Sequence, residues 1–141
     1  MEEATIKRSA VIEEKRQRVW QAITDSTQFS QWFGDPIRFE RLAVGEPMSF
    51  FKEGHPGRIA VVDPPVRFAY YWPAEPGSSV ESLVTFLLEP TAEGTRITVT
   101  EEGLEALPEN MRQHRFDLNN KGWGIQLENL AKYLKEADVR A

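Results

Sequence analysis

The chain has 141 residues, 40% hydrophobic and 28% charged, with a net charge of −5 and no cysteine. That is enough apolar material for one domain with its own core, and too much for extended disorder. The acidic balance disfavours a phosphate backbone as partner, and the lack of cysteine removes thiol catalysis, disulfides and thiolate metal sites.

Ile6 to Ile12 alternate and predict a strand. Val19, Trp20, Ala22 and Ile23 follow at helical spacing until Thr24-Asp25-Ser26-Thr27, residues that favour caps and turns. A second short helix carries Phe29, Trp32 and Phe33 and stops at Gly34-Asp35-Pro36. Strands then dominate. Ile37 and Phe39 alternate, as do Met48 and Phe50 after a turn at Val44 to Pro47. Gly54-His55-Pro56-Gly57 reads as a turn before Ile59 to Val62, and Asp63-Pro64-Pro65 as another before Phe68, Tyr70 and Trp72. A loop from Pro73 to Ser79 leads into Val80, Ser82, Val84, Phe86 and Leu88. Glu93-Gly94 turns the chain into Thr95 to Glu102, where Ile97 and Val99 alternate with threonines. Pro108 opens a long helix with Phe116, Trp123, Leu127, Leu130 and Leu134 on one stripe, and the charged tail after Tyr133 is expected to fray. Gly122 and Gly124 flank Trp123; each costs about 1 kcal/mol in a helix interior, so close packing is expected to compensate.

Strand, two helices, about six strands without intervening helices and a final helix exclude a doubly wound parallel sheet, which needs crossovers. The fold class is α+β, a curved antiparallel sheet of about seven strands around the long C-terminal helix, as one domain over residues 1–141. No apolar run nears the roughly 20 residues a bilayer span needs. Met1-Glu2-Glu3 carries acid where a signal peptide carries base. The expectation is a cytoplasmic monomer or homodimer with no membrane or nucleic-acid partner.

Four groups of residues stand in one order from about residue 5 to 135. They are Val19-Trp20-Gln21-Ala22-Ile23-Thr24-Asp25 with Trp32-Phe33, then Gly57-Arg58-Ile59 with Asp63-Pro64-Pro65 and Arg67 to Trp72. Val84 to Pro90 with Gly94 to Ile97 come next, and Gly122-Trp123, Leu127, Leu130 and Tyr133-Leu134 complete the set. This pattern resembles homologues of the C-terminal domain of the activator of heat-shock protein 90 ATPase, within the START-like (polyketide cyclase, Bet v 1-like) superfamily, also written SRPBCC. The resemblance implies a helix-grip fold with a cavity between sheet and long helix. It also implies a hydrophobic ligand such as a lipid or polyketide, or, as in the eukaryotic namesake, a protein partner. That namesake has an additional N-terminal domain, which makes chaperone activation the weaker expectation here. Glu14-Lys15 replaces the usual Ala-Pro, and Glu101 and Asn119 stand where histidines are often found.

Alternation puts Phe68, Tyr70 and Trp72 on one sheet face, a pattern that serves core packing and cavity lining equally. The candidate ligand-binding residues are Trp32, Phe39, Met48, Phe50, Ile59, Phe68, Tyr70, Trp72, Val84, Phe86, Val99, Glu101, Trp123 and Leu127. Glu101 follows Ile97 and Val99 on their face. A buried carboxylate there would pair with a base such as Arg8, orient a ligand or transfer a proton; the simpler expectation is a strand end in solvent. His55 and His114 are far apart and suggest no metal site, and no nucleophile–base motif or phosphate loop occurs. The leading expectation is binding of a small hydrophobic or aromatic molecule without a cofactor and without defined catalysis. A chaperone-modulating interaction protein and a cyclase or dehydratase using Glu101 or a tyrosine are the alternatives.

Overall fold

The computed structural model describes residues 5–140, the last three by their backbone. Strand β1 (Ile6–Ile12) leads into helices α1 (Arg16–Thr24) and α2 (Ser26–Phe33). Strands β2 (Ile37–Arg38), β3 (Pro47–Phe50), β4 (His55–Asp63), β5 (Arg67–Pro73), β6 (Glu81–Pro90) and β7 (Thr95–Glu102) follow. A short 3-10 turn at Leu104–Ala106 precedes helix α3 (Glu109–Arg140). The sheet order is β1-β7-β6-β5-β4-β3-β2, with every pair antiparallel. The curved sheet grips α3, as a helix-grip fold does.

Local chemistry explains the breaks. Asp25 closes α1 with its N–H on the Gln21 carbonyl, and its carboxylate accepts from the Gln28 N–H at 3.0 Å to open α2. Gly34, at φ 87°, ends α2 in the left-handed conformation glycine adopts without strain. On β5 and β6, Phe68, Tyr70, Trp72, Val84, Phe86 and Leu88 are all buried, so the register read from alternation holds. On α3, Trp123, Leu127, Leu130 and Leu134 are buried, whereas residues 109–122 hold no fully buried side chain. The sheet thus grips the second half of the helix, and the first half arches over its end.

Three local expectations change. The turn expected at Gly54 to Gly57 lies at Phe51 to Gly54, and His55, Pro56 and Gly57 belong to β4. Gly57 is a packing residue: a Cβ there would fall onto the Tyr71 carbonyl and the Phe50 ring. The tail expected to fray after Tyr133 continues as helix to Arg140, with Leu134 fully buried. Of the two helix glycines, Gly124 lies under Arg8, whose Nη2 would sit 2.6 Å from an added Cβ, while a Cβ added at Gly122 would point into open space.

Candidate functional site

The sheet register sets one end of the site. Trp72 of β5 pairs with Ser82 of β6, and Tyr70 with Val84, which in turn pairs with Glu101 of β7. Helix α3 lays Asn119 and Trp123, one turn apart, over this row. Glu101 is therefore fully buried, contrary to the solvent-exposed strand end expected for it. Its Oε1 accepts from Trp123 Nε1 at 2.9 Å and Asn119 Nδ2 at 3.0 Å. Its Oε2 accepts from Ser82 Oγ at 2.6 Å, Trp72 Nε1 at 3.0 Å and Asn119 Nδ2 at 3.2 Å. Four of these five contacts come from N–H groups, which only donate, and the fifth from the Ser82 hydroxyl, a set that the acceptor oxygens of a carboxylate satisfy. The two indoles that hold it are stacked, with centroids 5.6 Å apart and planes 30° apart.

The base suggested as its partner is engaged elsewhere: Arg8 Nη1 donates to the Asn120 carbonyl at 2.8 Å. The charge is thus stabilised by oriented neutral dipoles, which satisfies a buried ion without cancelling it.

Tyr70 stands on the same face, fully buried, its hydroxyl without a hydrogen-bond partner among the described residues. Burial holds its phenol well above the usual tyrosine range, and the Glu101 charge adds to the effect. An orphaned buried hydroxyl costs about 1–3 kcal/mol. Tyr70→Phe is accordingly expected to leave the urea midpoint unchanged or raise it; a clear fall would show that the hydroxyl has a partner. The pH dependence has a definite sign. A phenol whose pKa is raised in the fold contributes fully below the unfolded value, near 10.0, and that contribution is lost as pH rises beyond it. Tyr70→Phe should therefore flatten the alkaline loss of stability.

Beside Trp72 opens a small pocket of about 70 Å³. Phe51, His55, Trp72, Pro73, Ala74, Pro76, Arg115 and Asn119 line it. It gathers the β3–β4 turn, the β5–β6 loop and the loosely gripped half of α3. Phe51 adopts φ 67° and packs its ring 6.0 Å from Trp72 and 6.1 Å from His55. A left-handed non-glycine residue costs on the order of 1–3 kcal/mol and persists where its surroundings fix it. Arg115 pairs with Glu75 at 2.7 Å and approaches Asn119 Oδ1 at 3.5 Å.

Trp72 is the one candidate residue that lines this pocket, and Glu101 and Trp123 lie directly behind it. Trp32, Met48, Phe50, Ile59, Phe68, Tyr70, Val84, Phe86, Val99, Trp123 and Leu127 pack in the common core, with Phe39 half-buried against it. Rings occupy the space between sheet and helix: Phe29 stacks on Trp32 at 4.9 Å, and Tyr70 lies 5.2 Å from Phe50 and 6.1 Å from Phe29. Sequence reasoning missed Phe51, His55, Ala74, Pro76, Ser82 and Arg115. The signal available was Asn119: the two positions where histidines are often found, 101 and 119, touch each other. Among the described residues no group of three or more His, Cys, Asp or Glu could hold a metal, and no helix is long and apolar enough to cross a membrane.

The family described as Activator of Hsp90 ATPase homolog 1-like protein matches residues 14–135. Among solved structures, the protein MLL2253 of Mesorhizobium loti superposes with a TM-score of 0.79 at 23% identity, over 94% of this chain and 97% of that one. DynU16, a protein of the dynemicin biosynthetic locus, gives 0.78 at 22% identity over 95% of this chain and 48% of its own. CalU16 of Micromonospora echinospora gives 0.69 at 21% identity over 96% and 78%. No curated protein matches the sequence.

Proposed function

We propose, for a chain that belongs to the family of Activator of Hsp90 ATPase homolog 1-like proteins, that it binds a small, largely apolar molecule at the Trp72 pocket and does no chemistry on it. The observation that carries this reading is the pocket itself, with aromatic and proline walls and a few polar groups at one edge. Glu101, the group best suited to proton transfer, argues against catalysis. Its oxygens are filled with donors, and Trp72 and Asn119 stand between it and the pocket.

A thermal-shift screen of flavonoids, polyketides, sterols and fatty acids tests the reading. A ligand at about 100 times its Kd adds about 2.7 kcal/mol, a rise of several degrees for a domain of this size. Pro76→Trp places a bulky ring at the exposed lip and should abolish the shift while the fold is retained. If no compound raises the melting temperature of the unsubstituted protein, the binding reading fails. A protein-docking role then takes its place, favoured by the aromatic packing between sheet and α3.

A further inference from the structure

We infer that the Trp72 pocket takes a small organic cation, a methylated ammonium head group, held by electron-rich surfaces that the buried Glu101 carboxylate orients. The inference rests on the binding reading above and adds the charge of the ligand.

Glu101 draws the positive ends of its neighbours inward. The Trp72 indole gives its N–H to Oε2, and Asn119 gives its amide Nδ2 to both oxygens. Both residues also line the pocket. With its N–H committed, Trp72 has its π system to offer there, and hydrogen bonding to an anion makes that ring more electron-rich. With Nδ2 committed, Asn119 turns its carbonyl Oδ1 away from the carboxylate, where it accepts from Arg115 Nη1 at 3.5 Å. Phe51, held at φ 67°, adds a second ring 6.0 Å from Trp72, and His55 adds a third aromatic group to the lining. Several aromatic groups around one small space, backed by a negative charge, form the arrangement that attracts quaternary ammonium groups.

The charges agree with this polarity. Arg115 is the cation at the rim, and Glu75 neutralises it: Nε and Nη2 both reach Glu75 Oε2 at 2.7 Å. Its Nη1 turns toward Asn119 Oδ1. Behind the pocket, Glu101 is hydrogen-bonded to neutral groups alone, Trp72, Ser82, Asn119 and Trp123. A volume of about 70 Å³ suits a head group of a few heavy atoms, with the rest of a larger ligand lying outside.

The test is isothermal calorimetry at pH 8 and low salt with choline and its uncharged isostere 3,3-dimethyl-1-butanol. The expected result is choline binding at least tenfold tighter, with Phe51→Leu weakening choline several-fold and Pro76→Trp abolishing it. Equal or tighter binding of the neutral isostere overturns the cation inference and leaves the pocket reading standing. Binding of neither compound overturns the inference as well, while the thermal-shift screen still decides the pocket reading. Choline heat that survives Pro76→Trp places the cation elsewhere and also overturns it. Glu101→Gln is unsuitable here because it disturbs the hydrogen bonds that position Trp72 and Asn119 and so changes the pocket lining together with the charge.

Discussion

Glu101→Gln is expected to lower stability by about 3–5 kcal/mol, although it changes one atom type. Whichever way the amide turns, its NH₂ replaces an oxygen that now accepts at least two hydrogen bonds. At the Oε1 position it would point at Trp123 and Asn119; at the Oε2 position, at Ser82, Trp72 and Asn119. Hydrogen bonds to a charged group contribute about 1.5–3 kcal/mol each, and relief of the buried charge offsets part of the loss. At about 2–4 °C per kcal/mol for a domain near this size, the melting temperature should fall by roughly 10 °C. The urea midpoint at constant slope measures it. A loss below about 1 kcal/mol would mean that the donors find other acceptors, and that the carboxylate does not organise this end of the fold.

Trp123→Ala is expected to cost about 5 kcal/mol, at the top of the range for emptying a buried aromatic site. The ring is 3% exposed, lies against Trp72 and packs edge-on to Phe33 at 6.0 Å and Phe86 at 5.8 Å. Its loss opens a cavity with rigid aromatic walls and removes a donor from Glu101. Trp123→Phe separates the two effects. It keeps most of the packing and loses the N–H, so it should cost about 1.5–3 kcal/mol. If the two variants have the same midpoint, packing contributes little and the hydrogen bond dominates.

The sequence shows the sheet well where one face is buried along its length. On β5 and β6, Phe68, Tyr70, Trp72, Val84, Phe86 and Leu88 alternate on one buried face, and a one-residue slip would have exposed them all. The helix boundaries at Asp25 and Gly34 are equally legible, because capping is local chemistry. Glu101 is different. Thr100-Glu101-Glu102-Gly103 reads locally as a strand running out into solvent. What buries it comes from Trp72, 29 residues away, and from Asn119 and Trp123, 18 and 22 residues away. His55 was hidden for a similar reason. Gly54-His55-Pro56-Gly57 has the composition of a turn, but Gly57 answers a close approach by Tyr71 that local composition does not reveal. The pocket joins a turn, a loop and the first half of α3, segments whose meeting has no periodic signature. The family resemblance marked positions 101 and 119 as departures, but only the fold brings them into contact.

The stacked indoles of Trp72 and Trp123 have an optical consequence. Two identical chromophores held 5.6 Å apart at 30° share their excited states, and the chiral offset between them turns that coupling into circular dichroism of paired opposite signs. Such a signal depends on the mutual orientation of the two rings more than on solvent. One of the rings lines the pocket and the other rides on α3, so a shift of the helix against β5 would appear directly in the spectrum. The fold carries its own spectroscopic gauge of how tightly the sheet holds the helix, and needs no added label.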